Sequence, residues 1–76
     1  MTPQTGEIWQ HHKTKGEYEI IGLGKLQVKD KQLDMCDCVF YMSLSDKKMW
    51  ARPLADFTEV ITNEKGEDVM RFIKIR

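Results

Sequence analysis

The sequence predicts an all-β domain: a small five- or six-stranded, SH3-like, partly closed barrel with one short helical turn after Pro53. Three observations point there. Apolar and polar residues alternate over short runs, most clearly from Cys36 to Leu44, the period at which every second side chain of a strand faces one way. Turn-forming clusters at Thr14-Lys15-Gly16, Ser45-Asp46-Lys47 and Asn63-Glu64-Lys65-Gly66 separate those runs. Finally, a chain of 76 residues buries only about 60 % of its unfolded surface, and so small a sheet hides its edges best by curling.

Taken in order, Glu7-Ile8-Trp9-Gln10-His11-His12 alternates and carries an aromatic, which predicts a first strand beginning after Gly6. The turn at Thr14-Lys15-Gly16 leads into a second strand, Glu17 to Gly22, so the two form a hairpin, and Gly22-Leu23-Gly24 reads as a strand bend. Lys25 to Asp34 is polar and is expected to be a strand extension plus an exposed loop, with a short helix as the alternative. In the central strand the even positions Cys36, Cys38, Phe40, Met42 and Leu44 are almost purely apolar and are expected to face the core, whereas Asp37, Val39, Tyr41 and Ser43 form a mixed face. Lys48 to Arg52 is the returning strand, stopped by Pro53. Its register is open: a shorter loop sets Tyr41 opposite Trp50 or Arg52, a longer one pairs Met42 with Trp50. Leu54 and Phe57 lie three apart on one side of a helical turn. Val60-Ile61-Thr62 and Val69 to Ile75 close the chain as a final hairpin.

The whole of residues 1–76 is expected to be one domain, too small for a large internal cofactor cavity. With 41 % hydrophobic and 32 % charged residues it is ordinary for a globular chain. Twelve basic residues balance twelve acidic ones, so overall charge does not favour a general grip on nucleic-acid phosphates. No apolar run reaches membrane-spanning length, and Met1-Thr2-Pro3-Gln4 lacks signal-peptide character. The expectation is a cytoplasmic protein with no membrane partner.

Cys36 and Cys38, one residue apart, point to the same face of an extended strand, which makes a mutual disulfide awkward. With His11 and His12 they would supply a zinc-type ligand set, but C-x-C beside H-H is not a standard zinc spacing. No metal or cofactor is expected, and the thiols read as small core-facing residues. Catalytic signatures are sparse: there is no G-x-S-x-G elbow, Walker-type loop or H-E-x-x-H pair. A general-base pair of His11 or His12 with Asp37 or Asp56 is the remaining catalytic reading.

A binding face is better supported. Trp9, Tyr18, Tyr41 and Trp50, with Arg52 and Arg71, are types that stack on planar groups and clasp anions in bidentate fashion. The competing reading makes Trp9, Phe40, Phe57 and Phe72 core and the arginines solvated. Trp50-x-Arg52-Pro53 stands out, because two residues apart on a strand share a face.

Gly6-x-x-Trp9-x-His11-His12-Lys13, Gly16-x-Tyr18, Val39-x-Tyr41-x-x-Leu44, Trp50-x-Arg52-Pro53-Leu54-x-x-Phe57 and Arg71-Phe72 occur in that order. Together they resemble the bacterial and phage family of unknown function DUF1653, whose pattern runs roughly G-x-Y-x-H-Y-K-G-x-x-Y, V-x-Y-x-x-L, W-x-R-P-L-x-x-F and R-F. The resemblance covers about residues 6–73 and implies a small β-barrel-like domain of unassigned role. Here Thr14-Lys15 separates Lys13 from Gly16, where the family runs Lys-Gly, and the longer Lys25 to Asp34 stretch replaces a short H-S/T-E segment.

The leading expectation is therefore a non-enzymatic binding module, phage- or mobile-element-associated by that resemblance. It would hold a small anionic or planar, nucleotide-like ligand on a face of His11, Lys13, Tyr18, Tyr41, Trp50, Arg52 and Arg71. The alternatives are an adaptor for a protein partner or single-stranded nucleic acid on the same face, and a small hydrolase or isomerase using His11. Exposed strand edges also admit a homo-oligomer.

Overall fold

In a computed structural model, residues 2–76 are described; Met1, at the start considered above, lies outside them. The strands are β1 (Ile8–His11), β2 (Glu17–Lys25), β3 (Asp37–Ser43), β4 (Met49–Pro53), β5 (Val60–Thr62), β6 (Asp68–Met70) and β7 (Phe72–Lys74), with the single helical turn α1 (Leu54–Phe57) after β4. β4-β3-β2-β1-β7 form one antiparallel sheet, and β5-β6 a separate two-stranded ribbon. The all-β class and the helical turn are as expected. The sheet does not close on itself, since β4 and β7 are its two edges.

Among the described residues, seven strands replace the expected five or six because the last one breaks in two. At Arg71 the chain bends, so Asp68–Met70 pairs with β5 while Phe72–Lys74 pairs with β1. The bend is held by two backbone hydrogen bonds: the Arg71 N–H donates to the Glu59 carbonyl at 3.0 Å, and its carbonyl accepts the His12 N–H at 2.8 Å. One residue thus ties the ribbon to the main sheet. The glycine-rich end of β2 carries a register shift between Ile20 and Gly22, the strand bend that Gly22-Leu23-Gly24 implied.

The core face is the reverse of the expected one. Val39, Tyr41 and Ser43 on the odd side of β3 are buried, whereas Phe40, Met42 and Leu44 are only half-buried. Register explains the inversion. Tyr41 lies across from Ile20, Tyr18 from both Ser43 and Trp9, and His11 from Phe72, and paired residues share a face. That face therefore collects the large aromatics. Trp9, Ile20, Val39, Tyr41, Phe57 and Phe72 form the buried cluster, with Tyr18 and Leu54 packed against it. Strict alternation marks two faces equally well; which of them α1 and β7 cover is a tertiary matter. Cys38 is buried, but on the opposite side, with Gly24 and Pro53 as its register partners. Both cysteines therefore miss the main core, and Cys36 is only half-buried.

Phe57 from α1 and Phe72 from β7 stack face to face, centroids 4.0 Å apart and planes 4° from parallel. Around them Trp9, Tyr18 and Tyr41 make edge contacts at 5.3–5.9 Å, the arrangement that the ring quadrupole favours. Trp9 satisfies its indole N–H on Glu7 Oε1 at 3.0 Å. That bond is the main reason the Glu7 carboxyl is held below its ordinary value.

Candidate functional site

The aromatic core ends in a cluster of cationic and polar groups. Arg52, on edge strand β4, is register partner to Val39, and Trp50 to Tyr41. The β3–β4 register is thus the first of the alternatives considered, and Trp50 and Arg52 share the core-side face as their spacing implied. Arg52 turns inward. Its Nε donates to the Tyr41 hydroxyl at 3.3 Å, and its guanidinium sits 5.6 Å from the Phe72 ring centroid. A buried tyrosine hydroxyl thereby gains a partner, which offsets the cost of burying it, and the arginine is held by a cation–π contact.

His11 lies on the same ring. Its imidazole meets Phe72 edge-on at 4.9 Å and 87°, and Nδ1 accepts the backbone N–H groups of Lys13 and Thr14 at 3.1 and 3.4 Å. The first turn is therefore folded around the histidine, and Nε2 carries the proton of the neutral ring. Burial is the largest cause that holds His11 below its ordinary 6.5; the charges of Arg52 and then Arg71 follow.

Arg71 occupies the bend between β6 and β7. Its Nη2 donates to Glu59 Oε2 at 3.0 Å, and its Nε is buried with no hydrogen-bond partner among the described residues. Glu59 was not among the residues singled out in the sequence. The pair spans twelve positions, and the β5–β6 register, with Val60 opposite Met70, brings them together.

Of the seven residues expected to form the face, His11, Tyr18, Tyr41 and Arg52 meet around Phe72, and Arg71 precedes Phe72 in the chain, its carbonyl accepting the His12 N–H. Tyr18 also packs edge-on against Tyr41 at 5.3 Å. Trp50 is 49 % exposed and stands beside Arg52 on β4. Lys13 turns elsewhere. With His12, Lys15 and Lys65 it lines an open groove of about 530 Å³ between the first turn and the β5–β6 ribbon. Phe72, which the sequence placed in the core, proves also to be the platform of the site. Its partner Arg71 in the Arg-Phe pair was the available signal.

For the catalytic and metal alternatives, Asp37 is bound to Lys25 at 2.7 Å, at the far end of the β2–β3 pair from Tyr18. Among the described residues no three His, Cys, Asp or Glu side chains group as metal ligands. Burial is the main cause that pushes the Cys38 thiol up. Among the described residues, no helix is long and apolar enough to cross a membrane.

Fold and site define a small all-β protein with an open antiparallel sheet and an aromatic cluster that carries Arg52 and His11 against Phe72. The chain belongs to the protein family of unknown function DUF1653, whose model matches residues 7–74. No curated protein and no solved structure matches it.

Proposed function

We propose that this protein is a non-enzymatic binding module that holds a small, planar anion of nucleotide type. The ligand lies where His11, Tyr18, Tyr41, Arg52 and Arg71 converge, with Trp50 at the rim. The carrying observation is the buried Nε of Arg71 with no partner, in a cluster where Arg52 is the second guanidinium. A buried, unpaired charged donor is costly, and an anion accepting from it relieves that cost. Donors dominate the cluster, which holds two guanidiniums and the imidazole of His11. Trp50, half-exposed beside Arg52, offers a planar group for stacking. A net charge of zero is no obstacle, because the cationic cluster is local. The free thiols Cys36 and Cys38 suit a reducing compartment, the cytoplasm.

The test is an amide-shift titration of labelled protein with mono-, di- and cyclic nucleotides. Shifts are expected at Trp50, Arg52, His11 and Arg71. Absence of shifts near Trp50 at millimolar ligand overturns the proposal.

A second reading, an adaptor for a protein partner, draws on the β4 edge. There Met49 is 56 % and Trp50 49 % exposed on a strand with an unpaired side. Binding that persists at high salt without nucleotide favours it.

A further inference from the structure

We propose that β4 pairs with β4 of a second copy of the chain, antiparallel about a two-fold axis at Ala51, so that two open sheets join into one. The pairing goes beyond the nucleotide reading and stands or falls without it.

The hydrogen-bond phase of β4 sets which backbone groups face outward. The Ser43 N–H donates to the Lys48 carbonyl at 2.9 Å, one step beyond the Met42–Met49 pair of the β3–β4 register. Bonded and unbonded pairs alternate along an antiparallel ladder, so Lys48, Trp50 and Arg52 bond to β3. The other side of β3 agrees: the Leu44 N–H donates to the Glu17 carbonyl at 3.0 Å, which gives its even residues to β2 and leaves its odd ones for β4. Met49, Ala51 and Pro53 therefore turn their backbone groups to the free edge of β4. Pro53, with no N–H, stands where the β3 ladder needs none.

Charge selects the register of the second copy. Outward residues must pair with outward residues, which admits a two-fold axis at Trp50, Ala51 or Arg52. An axis at Trp50 sets Arg52 across from the partner's Lys48, and an axis at Arg52 sets two guanidiniums opposite each other; like charges in that position are destabilising. At Ala51, Trp50 lies across from the partner's Arg52 in the closer, unbonded type of pair, where indole and guanidinium attract, and symmetry repeats the contact. The Ala51 N–H donates to the partner's Ala51 carbonyl, and the Met49 N–H to the partner's Pro53 carbonyl. On the other face Met49, 56 % exposed, covers the partner's Pro53. The strand's ends match too. Lys47 and Lys48 precede β4 and Asp56 follows it, while Asp46 in the same turn is engaged by the Lys48 N–H. The two-fold thus lays the basic end of one strand beside the acidic end of the other. β7, the other edge, is three residues long against five and offers fewer groups.

A five-residue edge is small beside a standard interface, so the test spans about 10 μM to about 1 mM protein. Sedimentation velocity without nucleotide is expected to show the wild-type mass rising from 9.0 kDa towards twice that value. At the top of the range, amide exchange is expected to slow about tenfold or more at Met49 and Ala51, and not along β7. Ala51→Lys sets two cations opposite each other at the axis and is expected to stay at 9.0 kDa throughout. Ala51→Pro removes the central donor, spares the β3 ladder and is expected to weaken association about tenfold or more. Far-UV circular dichroism and urea midpoints establish that each variant folds. A dimer that a folded Ala51→Lys leaves intact overturns the inference, as does protection confined to β7. A wild-type chain that stays at 9.0 kDa also overturns it and leaves the β4 edge to a partner of another kind. None of these results bears on the nucleotide reading, which the titration above tests.

Discussion

Phe72 carries both the fold and the site, so its replacement tests the two together. The ring is 1 % exposed, stacks on Phe57 at 4.0 Å and meets His11, Tyr18 and Tyr41 edge-on, with Arg52 over its face. Truncating a buried Phe to Ala costs about 3–5 kcal/mol. The four ring partners and the cation–π contact, each worth about 0.5–1.5 kcal/mol beyond burial, put Phe72→Ala at the upper end. A chain of 76 residues has about 4–11 kcal/mol of stability in total, so this variant is predicted to lose a third of it or more. Phe72→Leu fills most of the space and is predicted to cost about 1–2 kcal/mol, lowering Tm by about 4–16 °C. It nonetheless removes the platform beneath His11 and Arg52, so nucleotide binding should weaken more than stability does. Urea unfolding followed by tryptophan fluorescence gives the first quantity, and the amide-shift titration on Phe72→Leu gives the second. A loss below about 1.5 kcal/mol for Phe72→Ala would refute the view that the stacked pair organises the core.

Two further outcomes are expected. His11 has its pKa lowered on folding, so the unfolded chain binds its proton first. Unfolding free energy is therefore highest above 6.5 and falls as pH drops from 6.5 towards the folded value of His11; in His11→Gln that share of the decline should vanish, and stability curves from pH 8 to 4.5 check it. Lys47 holds φ 62° in the turn between β3 and β4, a left-handed conformation that costs a side chain about 1–2 kcal/mol. Since Gly pays more chain entropy, Lys47→Gly is predicted to raise stability by about 0.5–1 kcal/mol; a lower urea midpoint would contradict this.

Particular residues show how far the chain could be read in advance. Turn clusters and period-two runs located the strand starts within a residue, because those signals are local, whereas β2 runs on past the expected end at Gly22 to Lys25. The helical turn followed from Pro53 and the three-residue spacing of Leu54 and Phe57. Arg71 shows the limit: Val69 to Ile75 reads as one continuous strand, and only its division between two partners, β5 and β1, makes it a bend. The β3 core face was inverted for a similar reason. Phe40 and Met42 are more apolar than Tyr41 and Ser43, yet burial went to the side where Trp9, Phe57 and Phe72 gather.

The candidate site divides along the same line. That Trp50 and Arg52 share a face follows from strand geometry and was legible in Trp-x-Arg-Pro. That Arg52 lies over Phe72, that His11 gives Nδ1 to its own turn, and that Arg71 is half-claimed by Glu59 all depend on contacts between distant segments. Alternation and turn chemistry act over two to five residues, and through them the sequence by itself determined the β class, the strand positions and the residue types of the face. Which face is buried was decided by the packing of α1 onto the sheet and by the side on which Phe72 of its edge strand β7 meets Tyr41 and Phe57, because burial is a property of the surfaces brought together and not of either segment alone.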